Sequence, residues 1–264
     1  MLKPYPRILN VAAYRNNSGT TNYHAGEIKV EEQLMHGLSV LFSYTHSKLI
    51  DDASSVFSST VLSSPNSSSL IAADTYNPRL ERDLSSGDMP NVLLASITYE
   101  LPMGKGHAFA TTGISRYIFS NWTANAILLS QSGMPVTVTQ ATNNNSFAGF
   151  ALQRPNVSGT TSLSAEKRTP AKYFNTGAFS TAPQFTLGSA SRNPVRGPAY
   201  RDLDLALVKR LNASHHTNIE FRGEIFDLMN TPAFAQPSGS FGSTAFGSTI
   251  TDPRVVRFAV RIRR

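Results

Sequence analysis

The sequence predicts an all-β protein, an antiparallel up-and-down transmembrane β-barrel present in part, with about seven or eight strands and long extracellular loops. Three observations carry this expectation. Charged residues make up only 16% of the 264 residues, against roughly 25% in soluble domains. Apolar residues recur with period two in several separate stretches, the spacing that puts alternate side chains on opposite faces of a strand. The connections between these stretches alternate between short and long, as they do where tight periplasmic turns face long outer loops. Hydrophobic residues reach 40%, yet no run approaches the ~18 consecutive apolar residues of a membrane-spanning helix.

Taken in order, Ile28 and Val30 alternate with Glu27, Lys29 and Glu31, and Val40, Phe42 and Tyr44 alternate with Ser43, Thr45 and Ser47. Leu41 is the one apolar residue on the polar side of that second run. Met35-His36-Gly37 separates the two, with Gly where a hairpin wants positive φ. In Asn91–Leu101 one face carries Leu93, Ala95, Ile97, Tyr99 and Leu101, and Pro102-Met103-Gly104-Lys105-Gly106 stops the run. From Asn121 to Thr139 a long strand-like stretch sets Trp122, Ala124, Ala126 and Leu128 against Thr123, Asn125 and Gln131. Ser132-Gly133-Met134-Pro135 interrupts it as a bulge or bend. Leu203, Leu205 and Leu207 alternate with Asp202 and Asp204. After a turn over Asn212–His216, Ile219, Phe221 and Ile225 stand opposite Asn218, Glu220, Arg222 and Glu224. The last strand is the most regular, with Val256, Phe258, Val260 and Ile262 against Arg257, Ala259, Arg261 and Arg263. A half-buried soluble sheet has the same alternation, so the loops matter.

Those loops are 35–37 (short), 49–90 (long), 102–119 (medium), 140–200 (very long), 211–216 (short) and 230–253 (moderate). Compact soluble domains rarely hold two structureless connections of the longer kind. The long ones are polar, with Ser54-Ser55, Ser58-Ser59-Thr60, Ser67-Ser68-Ser69 and Asn143-Asn144-Asn145-Ser146. Seven strands are read in this way. Single-chain bacterial barrels have an even number, so either Ile8–Tyr14 adds an eighth strand or the chain is a fragment, which is the reading preferred here. The start, Met1-Leu2-Lys3-Pro4-Tyr5-Pro6-Arg7, lacks the apolar core of a signal peptide.

Chemistry is sparse. No cysteine is present, which excludes disulfides and Cys-based zinc sites. The net charge of +7 comes from singly scattered cations, apart from Arg261, Arg263 and Arg264. No basic helix or RNA-recognition signature accompanies them, so no nucleic-acid partner is expected. The histidines His24, His36, His46, His107, His215 and His216 form no H-E-x-x-H pair. Gly104-Lys105-Gly106 lacks phosphate-loop spacing. Asp51-Asp52, Glu81, Asp83 and Asp88 lack the alternating pattern of a calcium loop. No G-x-S-x-G elbow is present, so neither an enzyme nor a cofactor is expected. Asp202, Asp204, Glu220, Arg222, Glu224, Arg257 and Arg261 read as lumen-facing charges that pair across strands. Tyr44, Tyr99, Trp122, Phe226 and Phe258 are candidates for interfacial girdles.

A collinear series of words runs from about residue 20 to the end. It comprises Asn22-Tyr23-His24-Ala25, His36–Lys48, Ile50-Asp51-Asp52-Ala53-Ser54, Tyr99–Gly106 with Asn121-Trp122, and Gln131–Thr139. Arg154-Pro155-Asn156, Tyr173-Phe174-Asn175, Arg192-Asn193-Pro194-Val195-Arg196-Gly197-Pro198 and Glu224–Pro232 complete it. In these words the chain resembles the Oar-like TonB-dependent receptors of Acidobacteria, which carry a carboxypeptidase-regulatory-like domain, a plug and a large barrel. The resemblance implies that residues 1–264 are the C-terminal part of a barrel of about 22 strands in the bacterial outer membrane. Its signal peptide, plug and early strands have no counterpart in this sequence. Where the family usually ends on an aromatic residue, this chain ends Arg263-Arg264.

The expected function is therefore that of a wall fragment of a receptor taking up a solute held on loops 49–90 and 140–200. Its expected partners are outer-membrane lipid, a plug and remaining strands on a missing N-terminal part, and TonB only through that part. The alternative is a small self-contained barrel with a structural or adhesive role, in which Ile8–Tyr14 is a paired strand and the sheet closes on itself within the chain; pairing of residues 26–34 with 254–262 would support it. A soluble β-rich enzyme would need converging polar side chains, which the sequence does not offer.

Overall fold

The computed structural model describes residues 19–34, 37–53, 74, 77–103, 109, 113–142, 153–214, 217–231, 233–249, 251–252 and 255–263. The proposed strand Ile8–Tyr14, the turn residues Met35 and His36, Gly104-Lys105-Gly106, His107, the runs 54–69 and 143–146, His215-His216 and Arg264 lie outside them.

Seven long strands form one antiparallel sheet. They are β1 (Thr21–Leu34), β2 (Leu38–Asp51), β3 (Asn91–Glu100), β4 (Trp122–Gln131), β5 (Tyr200–Ser214), β6 (Thr217–Phe226) and β7 (Val255–Arg263). Each pairs with its neighbour in sequence, so the order is that of the chain, an up-and-down wall. The two-residue strand Asp83–Leu84 adds to the end of β2. Among the described residues β1 and β7 do not pair with each other, so the sheet is open. No helix among them is long and apolar enough to cross a membrane.

The register turns the sequence alternation into two faces. Ile28 pairs with Tyr44, and Val30 with Phe42. Phe42 meets Ala95, Ala95 meets Leu128, and Leu128 meets Leu203. Leu205 pairs with Ile225, and Ile225 with Val256. Directly paired residues share a face, so this apolar face runs unbroken across all seven strands. It is also open: Phe258 is 85% exposed, Ile262 66% and Ile28 60%. Such a surface on a soluble monomer would be an aggregation hazard. Against hydrocarbon it is the solvated side.

At one end lie the short breaks between β1 and β2 and between β5 and β6, with the described residues of the link 101–121. At the other lie the three long connections 52–90, 132–199 and 227–254. Gly37 takes φ +80° at its turn, as expected, and a Cβ there would come 2.8 Å from Glu100 Cβ. β5 continues past the expected turn start at Asn212, through a register shift between Asn212 and Ser214.

The buried core lies outside the wall. Val136, Val138, Phe174, Ala178, Phe179 and Val195 form it, with Val157, Phe241 and Phe246 packed against them. Phe246 stacks edge-on with Phe174, Phe179 and Phe241. The expectation of structureless connections is therefore corrected: the described residues of 132–199 and 227–254 pack on each other as a small domain at one end of the wall.

The reading of Ser132–Pro135 as a bulge within one long strand is corrected as well. β4 ends at Gln131; Pro135–Val136 pairs with Val195–Arg196, and Thr139–Gln140 runs parallel to Ser240–Phe241. The departure rests on Gly133, where a Cβ would fall 2.0 Å from Gly197 O. Only glycine allows the two backbones so close.

Candidate functional site

Two features offer chemistry: the polar face of the wall and the packed connections above it. On the polar face stand all seven charges singled out in the sequence, Asp202, Asp204, Glu220, Arg222, Glu224, Arg257 and Arg261. Alternation explains this, because each lies one residue from a member of the apolar face. In the register, Ala206 opposes Glu224 and Arg210 opposes Glu220. Across the next pair, Glu224 opposes Arg257 and Glu220 opposes Arg261.

Arg222 is the centre of this face. Its Nη2 donates to Glu220 Oε1 at 2.9 Å and its Nη1 to Glu224 Oε1 at 3.2 Å. These bonds run along one strand, two residues each way. Cross-strand pairing comes from Arg257 to Glu224 (3.8 Å) and Arg210 to Glu220 (3.4 Å). Nearer the long connections the face is acidic. Asp202 Oδ2 accepts from the Tyr200 hydroxyl at 2.9 Å, and Asp204 Oδ1 from Asp227 N at 3.1 Å. Asp202 Oδ1 is buried with no hydrogen-bond partner. The result is a graded surface, acidic toward the long connections and mixed below.

Three arginines pin the long connections together. Arg192 forms a buried ion pair with Asp51 and also donates to Leu84 O at 3.3 Å. Arg154 pairs with Glu81 and donates to Leu80 O at 3.1 Å. Arg196 pairs with Asp88 at 2.6 Å and donates to Gly133 O at 2.8 Å. Asp88 in turn accepts from Leu49 N at 2.7 Å. Burying such charges is tolerable only because each is paired and hydrogen-bonded.

These contacts engage the acidic residues of the connections within the protein. Asp51, Glu81 and Asp88 each face a guanidinium, and Asp83 Oδ2 accepts from Asn193 N at 2.8 Å. Asp52 accepts from both the N–H and the hydroxyl of Thr20 at 2.7 Å. Burial alone would raise the Asp52 carboxyl. The two Thr20 bonds, its own N–H and the Arg192 charge outweigh that and hold it below the usual carboxylate range. Among the described residues no group of three or more His, Asp or Glu is arranged to hold a metal ion. His46 Nδ1 lies 3.0 Å from Asn91 Oδ1.

Where the two longest connections meet, a cavity of about 330 Å³ opens between Arg79, Leu80, Arg154 and the stretch Leu187–Ser191. Its volume falls within the range of small-molecule sites. Arg79, two serines and two leucines line it together with Arg154, whose guanidinium is already engaged by Glu81 and by Leu80 O. The sequence named both connections as candidates for holding a solute. It did not single out Arg79 or Arg154 as lining, and Arg154 entered only as part of a family word.

The girdle set divides. Tyr44, Tyr99, Trp122 and Phe258 lie on the apolar face. Phe226, paired with Val255 one residue from the apolar pair Ile225–Val256, lies on the polar face and cannot join a lipid girdle. Residues 1–258 match a family model described as "Outer membrane beta barrel domain". A search of curated proteins finds no match.

Proposed function

The chain belongs to the outer membrane β-barrel domain family, in the bacterial outer membrane, and from that premise we propose that it is the C-terminal wall of a TonB-dependent receptor of the Oar-like kind, serving solute uptake. The observation that carries the reading is the open sheet: among the described residues β1 and β7 each have one paired edge and do not pair with each other. Unsatisfied strand edges are not stable in hydrocarbon, and on this reading further strands complete the wall. A large barrel of this type is wide enough to hold a plug. The polar face with Asp202, Asp204, Glu220, Arg222, Glu224, Arg257 and Arg261 then lines the lumen and contacts the plug or a passing solute. The cavity at Arg79 and Arg154 is where the solute is first held. TonB is engaged through the plug, not through this wall.

The self-contained barrel with an adhesive role needs the sheet to close on itself; β1 and β7 do not pair among the described strands, and its strand at Ile8–Tyr14 lies outside the described residues. The mass of the outer-membrane species that carries this wall decides between the two. An antibody to the 153–199 segment, used on folded outer-membrane extracts, is expected to report a single polypeptide several-fold larger than 28.7 kDa. A monomeric, heat-modifiable species of that smaller mass would overturn the receptor reading.

A further inference from the structure

The link 101–121 at the short-turn end carries a helix, α1 (Gly113–Phe119), that the wall itself does not require. Its C-terminal end is held by two side chains. Trp122 Nε1 donates to Ile118 O at 2.8 Å. Lys209 Nζ donates to Ile118 O at 2.7 Å and to Ser120 O at 3.0 Å, and it sits 5.2 Å from the centre of the Trp122 ring.

Both anchors belong to the apolar face. Trp122 pairs with Lys209 in the β4–β5 register, and Lys209 with Phe221 in the β5–β6 register. Phe221 continues the row to Val260. The end of α1 is therefore tethered from the lipid side of the wall, not from the lumen side.

Apolar side chains of the helix are exposed. Ile114 is 77% exposed and Ile118 52%, and at i and i+4 they form one stripe. Phe119 and, earlier in the link, Phe109 are exposed as well. A lysine on a lipid-facing row is costly unless its ammonium reaches polar groups, and here the carbonyls at the helix end receive it. Tryptophan at the rim of the apolar band is an interfacial residue type.

We propose that α1 is an interfacial anchor lying at the headgroup–acyl boundary of the periplasmic leaflet, with Ile114, Ile118 and Phe119 turned to phospholipid. The apolar stripe continues the lipid face of the wall, which names its occupant. This inference rests on membership in the barrel family and not on the receptor reading.

The chain contains no cysteine, so single-cysteine labelling tests it. In barrels extracted from outer membranes and reconstituted in phosphatidylcholine–phosphatidylglycerol vesicles, Ile118→Cys carries an environment-sensitive fluorophore. Leu205→Cys serves as the inserted reference and Asn218→Cys as the reference on the polar face at the same end. In samples where the Leu205 label is quenched by lipid nitroxides, the Ile118 label is expected to be quenched most by a nitroxide high on the acyl chain. Iodide should quench it several-fold less than the Asn218 label. Equal iodide quenching at the two positions would overturn the proposal. Protection from both quenchers would do so too, by placing protein, such as a second copy, over the helix. In a Lys209→Gln background that still inserts, the Ile118 label should become accessible to iodide; unchanged lipid quenching would contradict the tether.

Discussion

Arg192 and Asp51 lie 141 residues apart in sequence, and their side chains form an ion pair that is almost fully buried. Asp51 ends β2, while Arg192 sits in the connection between β4 and β5. The same guanidinium nitrogen reaches Asp51 O at 3.2 Å and Leu84 O at 3.3 Å. With Arg154–Glu81 and Arg196–Asp88, this pair fastens the packed connections to the rim of the wall.

Removing one partner leaves a buried charge unpaired, which costs roughly 3–5 kcal/mol. Arg192→Ala is therefore expected to loosen the 132–199 domain while the wall stays folded. Protease added to intact cells should cleave within that segment far faster than in the parent. The heat-modifiable barrel band on gels should persist. Joint loss of both would contradict the separation of domain and wall.

Gly133→Ala is expected to disrupt the exit from β4, because its Cβ would meet Gly197 O at 2.0 Å. Gly26→Ala, with open space around the new methyl, should change stability by less than about 0.5 kcal/mol. Denaturant midpoints of the two variants measure the contrast.

Leu205 and Ala206 are neighbours on opposite faces. Leu205→Arg places a charge on the apolar face and should cost about 2–4 kcal/mol if it lies near the bilayer midplane. Ala206→Arg points to the polar face, opposite Glu224, and should be nearly neutral. Equilibrium unfolding in vesicles reads both.

Arg222→Ala removes the cation between Glu220 and Glu224. Because Arg222 is partly exposed, the loss of folding stability should stay near about 1 kcal/mol or below. A larger loss in thermal unfolding would mean that the network is shielded from water.

Much of the wall was legible because a barrel strand has one strong rule, period two with an apolar and a polar side. That rule placed β2, β3, β6 and β7 within a few residues, and it put Asp202 through Arg261 on one face. The same rule failed at Ser132–Pro135. Val136 and Val138 continue the alternation after Gln131, although they belong to the packed core and not to the wall. Period alone cannot say which sheet a strand joins; the Gly133–Gly197 approach decides it. The arginine pins were illegible for another reason. Their partners lie 73 to 141 residues away, and no spacing rule reaches across two loops whose packing is unknown. Phe226 was misplaced because aromatic type was read without its register.

The central claim is that the alternation divides lipid from lumen. A cysteine scan along β5 from Asp202 to Val208, in the reconstituted barrel, tests it most directly. Labels at Leu203, Leu205 and Leu207 should be quenched by lipid nitroxides, and cysteines at positions 202, 204 and 206 should react with a water-soluble maleimide. Protection at every position, without alternation, would mean a two-layer soluble core and would contradict the account.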